Sequence, residues 1–231
     1  MKSKFIYISV IASLMFFAWG CKLDNYKSPH AGIKGKIIDS ITNKPLQTVE
    51  PHGFRIRLIE INKKYKSPTP IDFWGKADGT FKNSKLFADT YKVIPIEGAF
   101  FEPDTMEVNI KGMKSVNFTV TPFLELTNVS VTPISKGAIV KYQISKSPKS
   151  NKILTSKSLA SQYPTVGNTV FDKEVSHDLS NIPDSTIVNM QFADTLKGLT
   201  SGKTYYIRAA AETNNANNRY NYSKVFKVSI K

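Results

Sequence analysis

Cysteine is nearly absent: the 231-residue chain carries one, Cys21. A single thiol excludes an intrachain disulfide framework and any cluster of thiolates around zinc. Three histidines leave little for a His-rich metal centre. Arginine is scarce as well, only Arg55, Arg57, Arg208 and Arg219 among the 32 basic residues, the rest being lysine. Lysine lacks the planar fork with which arginine grips phosphates and guanine edges, so the formal charge of +14 does not point to nucleic acid. No G-x-S-x-G elbow, HExxH pair or phosphate loop occurs. The chain reads as a non-enzyme, with no catalytic residue, no metal ligand and no cofactor expected. No apolar run reaches the roughly 20 residues that a membrane-crossing helix needs.

The longest apolar run is short and terminal. Lys2 and Lys4 precede Phe5 to Ala18, broken only by Ser9 and Ser13, and Gly20 closes the segment. A basic start, a short apolar stretch and a small residue read as a cleaved export signal over residues 1–20. Cys21 follows directly, in Ala18-Trp19-Gly20-Cys21, where a bacterial lipoprotein signal presents the thiol that receives diacylglycerol. The sequence departs from the strict motif, which prefers Leu three residues before the Cys. Lipidation at Cys21 would anchor the mature chain to a membrane without a transmembrane helix, residues 21–30 forming the anchor and linker. Loss of Lys2 and Lys4 leaves 30 basic and 18 acidic residues, a net +12. The densest basic set is Lys146, Lys149, Lys152 and Lys157, read as a solvated loop with contact to an anionic polymer as the alternative.

From Pro29 onward, apolar residues alternate with period two. Phe54, Ile56 and Leu58 are separated by Arg55 and Arg57; Met106, Val108 and Ile110 by Glu107 and Asn109; Val116, Phe118 and Val120 by Asn117 and Thr119. Strands are expected near 33–38, 54–60, 71–75, 80–82, 90–94, 105–110 and 115–121, with turns at Asn43-Lys44-Pro45, Asp78-Gly79 (a hairpin) and Lys111-Gly112. Seven short strands in about 90 residues fit a two-sheet sandwich over 31–122. A boundary is expected at Thr121-Pro122, with Val131-Thr132-Pro133 starting the next unit, 123–231. There Val140, Tyr142 and Ile144 alternate, as do Val188, Met190 and Phe192. Leu199, Gly202 and Tyr205 have the spacing of a tyrosine corner, and Ile207, Ala209 and Ala211 continue the inward face. This second unit resembles a fibronectin type III domain. The fold class is all-β, without a long helix.

Several stretches together resemble one family: Asp24-Asn25-Tyr26, Gly35-Lys36-Ile37-Ile38-Asp39, Thr42-Asn43-Lys44-Pro45-Leu46-Gln47, Arg55-Ile56-Arg57-Leu58-Ile59-Glu60, Asp78-Gly79-Thr80-Phe81-Lys82-Asn83, Lys85-Leu86-Phe87, Tyr91-Lys92-Val93, Gly98-Ala99-Phe100 and Phe118-Thr119-Val120-Thr121-Pro122. The whole mature chain is similar to a Bacteroidota family of two-domain lipoproteins of unknown function. The resemblance implies a transthyretin-like (prealbumin-like) sandwich at 31–122 and a fibronectin type III-like one at 123–231. It also implies an outer-membrane, surface-facing location beside glycan importers of the starch-utilisation type. It transfers no site residue.

Sugars present apolar CH faces to aromatic rings and hydroxyls to planar polar groups. Trp74, the sole Trp after the signal, should face outward if Phe73 faces the core. Tyr220 and Tyr222, with Arg219 and Asn217 in the loop before the last strand, form a second candidate, and Phe100-Phe101 a third. Asp39, Asp72, Asp78 and Glu97 are the carboxylates considered for pairing, and His177-Asp178 is the only His–carboxylate pair close in sequence. The expectation is a glycan-binding surface lipoprotein whose partners are an oligosaccharide or polysaccharide and the transporter complex. The alternative is a structural or protein-docking module of that complex.

Overall fold

The computed structural model describes residues 28–61 and 68–231, so the export signal, Cys21 and the Asp24-Asn25-Tyr26 motif lie outside the described residues. The fold is all-β. Nine strands build the first unit: β1 (Ala31–Asp39), β2 (Arg55–Glu60), β3 (Ile71–Trp74), β4 (Thr80–Leu86), β5 (Asp89–Ile96), β6 (Phe100–Phe101), β7 (Met106–Ile110), β8 (Met113–Ser115) and β9 (Phe118–Pro122). One sheet runs β4-β1-β9-β6 with β8 also on β1; the other runs β3-β2-β5-β7. Ile33, Ile37, Phe81, Phe118 and Val120 of the first sheet meet Ile56, Leu58, Tyr91 and Val93 of the second in one buried cluster. Each fully buried side chain of this kind contributes roughly 1.5–3 kcal/mol.

The expected segment 115–121 is two strands. β8 and β9 both run parallel to β1, registered Gly32↔Met113 and Ile37↔Phe118. At the break, the Val116 amide donates to the Lys34 carbonyl (2.9 Å) and Asn117 Oδ1 accepts the Lys36 amide (3.0 Å). Gly35 is required at this crossing, since a Cβ there would lie 1.6 Å from the Val116 carbonyl oxygen. Asp78-Gly79 turns, with Gly79 at φ 77°, but it is no hairpin: it carries the chain from β3 in one sheet to β4 in the other. Asp78 Oδ1 accepts the Thr80 amide and hydroxyl, an Asx turn.

The second unit comprises β10 (Leu124–Ile134), β11 (Gly137–Lys146), β12 (Ile153–Ser161), β13 (Lys173–Asp178), a single helical turn α1 (Asp184–Ile187), β14 (Phe192–Lys197), β15 (Thr204–Thr213), β16 (Tyr220–Tyr222) and β17 (Phe226–Ser229). The order β10-β11-β14 faces β13-β12-β15-β16, with β17 also on β15. First, second and fifth strands against third, fourth, sixth and the last two, both of which pair with the sixth, is a fibronectin type III-like arrangement. The tyrosine corner is present: the Tyr205 hydroxyl accepts the Thr200 amide at 3.2 Å.

Three local expectations fail for physical reasons. Val131-Thr132-Pro133 does not open the second unit; β10 already starts at Leu124, and Pro133 is tolerated because β10 is an edge strand. Val188 and Met190 are not on a strand, because α1 and its following turn bring them to the core, where both are half-buried. Of the lysine set, Lys146 and Lys152 bind the Asp184 carboxylate (2.6 and 3.1 Å) and Lys157 pairs with Glu174 (3.1 Å), which leaves only Lys149 as a solvated cation.

Candidate functional site

The two units meet where β2 begins and β3 and β5 end. Phe73 packs against the first core, so Trp74 points the other way and is 37% exposed. Arg55 lies opposite Trp74 in the β2–β3 register, its guanidinium 5.2 Å from the ring centroid. Arg219, from the second unit, brings its guanidinium to 5.5 Å from the same ring. The His52 imidazole meets the indole edge-to-face at 4.8 Å.

Two carboxylates fix these cations. Glu97 accepts from Arg55 Nη2 and lies 3.9 Å from Arg219 Nη2, while its backbone carbonyl accepts from Arg219 Nε at 3.0 Å. Asp72 holds Arg57 bidentately (2.9 and 2.7 Å) and lies 3.5 Å from Arg55 Nη1. The hydrogen bond from Arg57 holds the Asp72 carboxyl below the usual carboxylate range, and the bond to Glu97 raises Arg55 further. Burial lowers Arg219. Arg55 Nε is buried without a hydrogen-bond partner among the described residues. The result is an exposed indole framed by forked donors and carboxylate acceptors. Such a surface stacks against an apolar ring face and exchanges hydrogen bonds with hydroxyls.

Trp74 and Arg219 therefore come together, whereas the tyrosines do not join them. Tyr222 must be corrected as a candidate: it is 7% exposed, its hydroxyl accepts the Asn168 amide (3.1 Å), and the buried Arg208 guanidinium lies 4.2 Å from its ring. Tyr220 is half-buried, 6.2 Å from Tyr222 and 5.9 Å from the Lys157 ammonium; burial and Glu212 raise its phenol. Asn217 is exposed at the loop tip. The loop itself is tied by Asn215, whose side chain accepts the Arg219 amide (2.9 Å) and donates to the Thr213 and Arg219 carbonyls. Phe100 is buried, and Phe101 packs edge-to-face on Phe123 at 5.0 Å. His52 and Arg55 carry no local binding signal in the sequence; only a fold brings residues 52, 55 and 219 to one ring, with Glu97 holding both guanidinium groups.

A second feature of the junction is a cleft of about 480 Å³ lined by Asp39, Lys44, Glu125, Asn221, Lys224 and Phe226 among others. Burial and the neighbouring Asp39 carboxylate push the Glu125 carboxyl up to about 8. Asp39 pairs with Glu125 rather than with the other carboxylates considered.

His177 does find a carboxylate, although not Asp178. Its Nε2 lies 2.7 Å from Asp194 Oδ1, and Asp194 Oδ2 accepts from Ser158 (2.7 Å) and Tyr142 (3.3 Å). The serine hydroxyl thus donates to the aspartate and not to the imidazole, which is not the order of a serine–imidazole–carboxylate triad. Among the described residues no three His, Cys, Asp or Glu side chains are grouped to hold a metal ion.

Residues 31–121 match the family model described as "Protein of unknown function (DUF3823) N-terminal domain". The match covers the first sandwich. A DUF3823 family protein from Bacteroides uniformis is similar over 88% of this chain and 100% of its own, at 24% identity and a TM-score of 0.75. One from Parabacteroides merdae has 19% identity and a TM-score of 0.73 over 88% and 100%. A Bacteroides uniformis protein described as a "putative carbohydrate binding protein" has 20% identity and a TM-score of 0.72 over 87% and 100%. These likenesses extend the shared fold across both units. No curated protein matches the sequence.

Proposed function

We propose that the chain is a non-enzymatic glycan-binding lipoprotein of the outer-membrane surface, accessory to polysaccharide capture and import, and that Trp74 is its binding platform. The observation that carries this reading is an exposed indole at the junction of two sandwiches, framed by Arg55, Arg219 and His52. A sugar ring would lie on the indole, with hydroxyls donating to Glu97 and accepting from the guanidinium groups. The carbohydrate-binding description of one structural relative supports the ligand class. The sequence supports the address, through the export signal that ends just before Cys21, and the first sandwich is taken as transthyretin-like. The transporter complex would be its protein partner.

Retardation of the mature chain, Cys21–Lys231, in native gels cast with a polysaccharide panel tests the reading. One glycan should slow migration in a salt-resistant manner, and Trp74→Ala should abolish the effect while the variant still unfolds in a cooperative thermal transition. Retention that added salt removes would reduce the effect to bulk charge. No retardation by any polymer would favour the second reading, a docking module. That reading has its own support: Trp74 and Arg219 join the two units, as an interdomain strut would.

A further inference from the structure

The end of the first sandwich remote from Trp74 carries an exposed apolar and basic surface that the junction does not use. β1, β5 and β8 start there and β4 and β7 finish there, as the registers Ala31↔Leu86, Gly32↔Met113 and Asp89↔Ile110 require. Phe87, at the tip between β4 and β5, is 53% exposed; Met113, after the β7–β8 turn, is 45% exposed. Neither is needed for the core, which closes beneath them on Leu86 and Ile110. Lys85, Lys111 and Lys114 stand exposed on the same end. The acids nearby are Glu60 and Asp89, both half-buried, and Asp89 Oδ1 accepts the Thr90 amide.

Chain connectivity says what this end faces. Ser28 is seven residues after Cys21, a distance of at most about 25 Å even fully extended. β9 runs parallel to β1 and hands over to the second unit at the opposite end. A chain held at Cys21 therefore keeps Phe87 and Met113 beside its anchor and holds the junction away from it.

We propose that this end of the first sandwich rests on an anionic membrane surface, with Phe87 and Met113 at the headgroup boundary and Lys85, Lys111 and Lys114 among the lipid phosphates. The proposal rests on the anchor reading at Cys21. Diacylglycerol at Cys21 would bring two acyl chains and anchor the protein by itself, so the basic and apolar end would set how the first sandwich lies on the surface. Each lysine near an anionic surface strengthens binding about fivefold.

The test couples Cys21, the only thiol, to maleimide-bearing phosphatidylglycerol/phosphatidylethanolamine vesicles, and reads hydrogen exchange in tethered and free protein. Tethering in this way makes the result independent of whether a cell acylates Cys21, which mass analysis of membrane-extracted protein decides separately. Amides around 85–90 and 111–115 should exchange several-fold more slowly when tethered, and those around Asn217 should not change. The double variant Phe87→Ser/Met113→Ser should lose the protection while unfolding at the parent temperature, because both side chains are exposed. Lys85→Glu/Lys111→Glu/Lys114→Glu should lose it as well, as should phosphatidylcholine vesicles. Unchanged exchange at 85–90 and 111–115 on the anionic vesicles would overturn the proposal. So would concentration-dependent dimerisation of the free chain that Phe87→Ser/Met113→Ser abolishes, since the occupant would then be a second copy.

Discussion

Arginine, the scarce cation of this chain, is concentrated at one place. Arg55 and Arg219 flank Trp74, Arg57 pairs with Asp72 beside them, and Arg208 is buried where the second unit meets Thr48 of the first. Arg208 donates to the carbonyls of Ser223, Val166 and Thr48, the last from the first unit, and stacks on Tyr222. Burial lowers its guanidinium to about 10, so it remains charged at neutral pH. Arg208→Met would fill the space but leave three carbonyls without their donor. The expected cost is about 3 kcal/mol, near 1 kcal/mol for each lost partner, read as a lower urea midpoint at unchanged slope. Lysine, with one point charge and no planar fork, would not restore the three bonds. In the sequence, low arginine content argued only against phosphate recognition. Its positive meaning required the fold, because positions 55, 57, 208 and 219 lie on two units and have no common spacing.

Strands were legible wherever one face is wet. Alternation at 54–60 and 106–110 maps onto β2 and β7, and the Leu199–Gly202–Tyr205 spacing onto a formed tyrosine corner. Tyr205→Phe removes the acceptor of the Thr200 amide and should cost about 1–2 kcal/mol in equilibrium unfolding, with the sandwich otherwise intact. Where the pattern misled, a side chain or a backbone crossing had replaced the ladder. Asn117 stands in for a strand partner between β8 and β9, and Asp184 organises the turn that pulls Val188 and Met190 inward. Those substitutions leave no periodic trace. The binding candidates divide along the same line: Trp74 was legible because alternation with Phe73 sends it outward, whereas the burial of Tyr222 depends on Arg208 and Asn168, which no local pattern reveals.

At the scale of the molecule, two units share one small cluster. Val49 of the first packs beside Leu159, Val166, Ala210 and Tyr222 of the second, and Asn221 bridges the Ala99 carbonyl and the Leu124 amide. Glu125 lies in the cleft at this seam, and its carboxyl, ordinarily near 4.5, is raised to about 8. Below the lower value both folded and unfolded states hold the proton and the stabilising contribution is complete. As pH rises through the upper value, the folded carboxyl must ionise beside Asp39 and the contribution is lost. Stability should therefore fall between about pH 5 and pH 8, and Glu125→Gln should flatten that slope and stabilise the protein near pH 8.5. The gain should be about 2 kcal/mol, less than half the unscreened value because the group is partly solvated; urea unfolding at both pH values measures it. The parallel pairing of β1 with β9 has a mechanical consequence. Force applied between the amino terminus and the second unit would draw β1 one way and β9 the other, along the ladder that joins Ile37, Ile38 and Asp39 to Phe118, Thr119 and Val120. Such a pull shears those hydrogen bonds together instead of peeling them singly, so the first sandwich is strung like a force-bearing link.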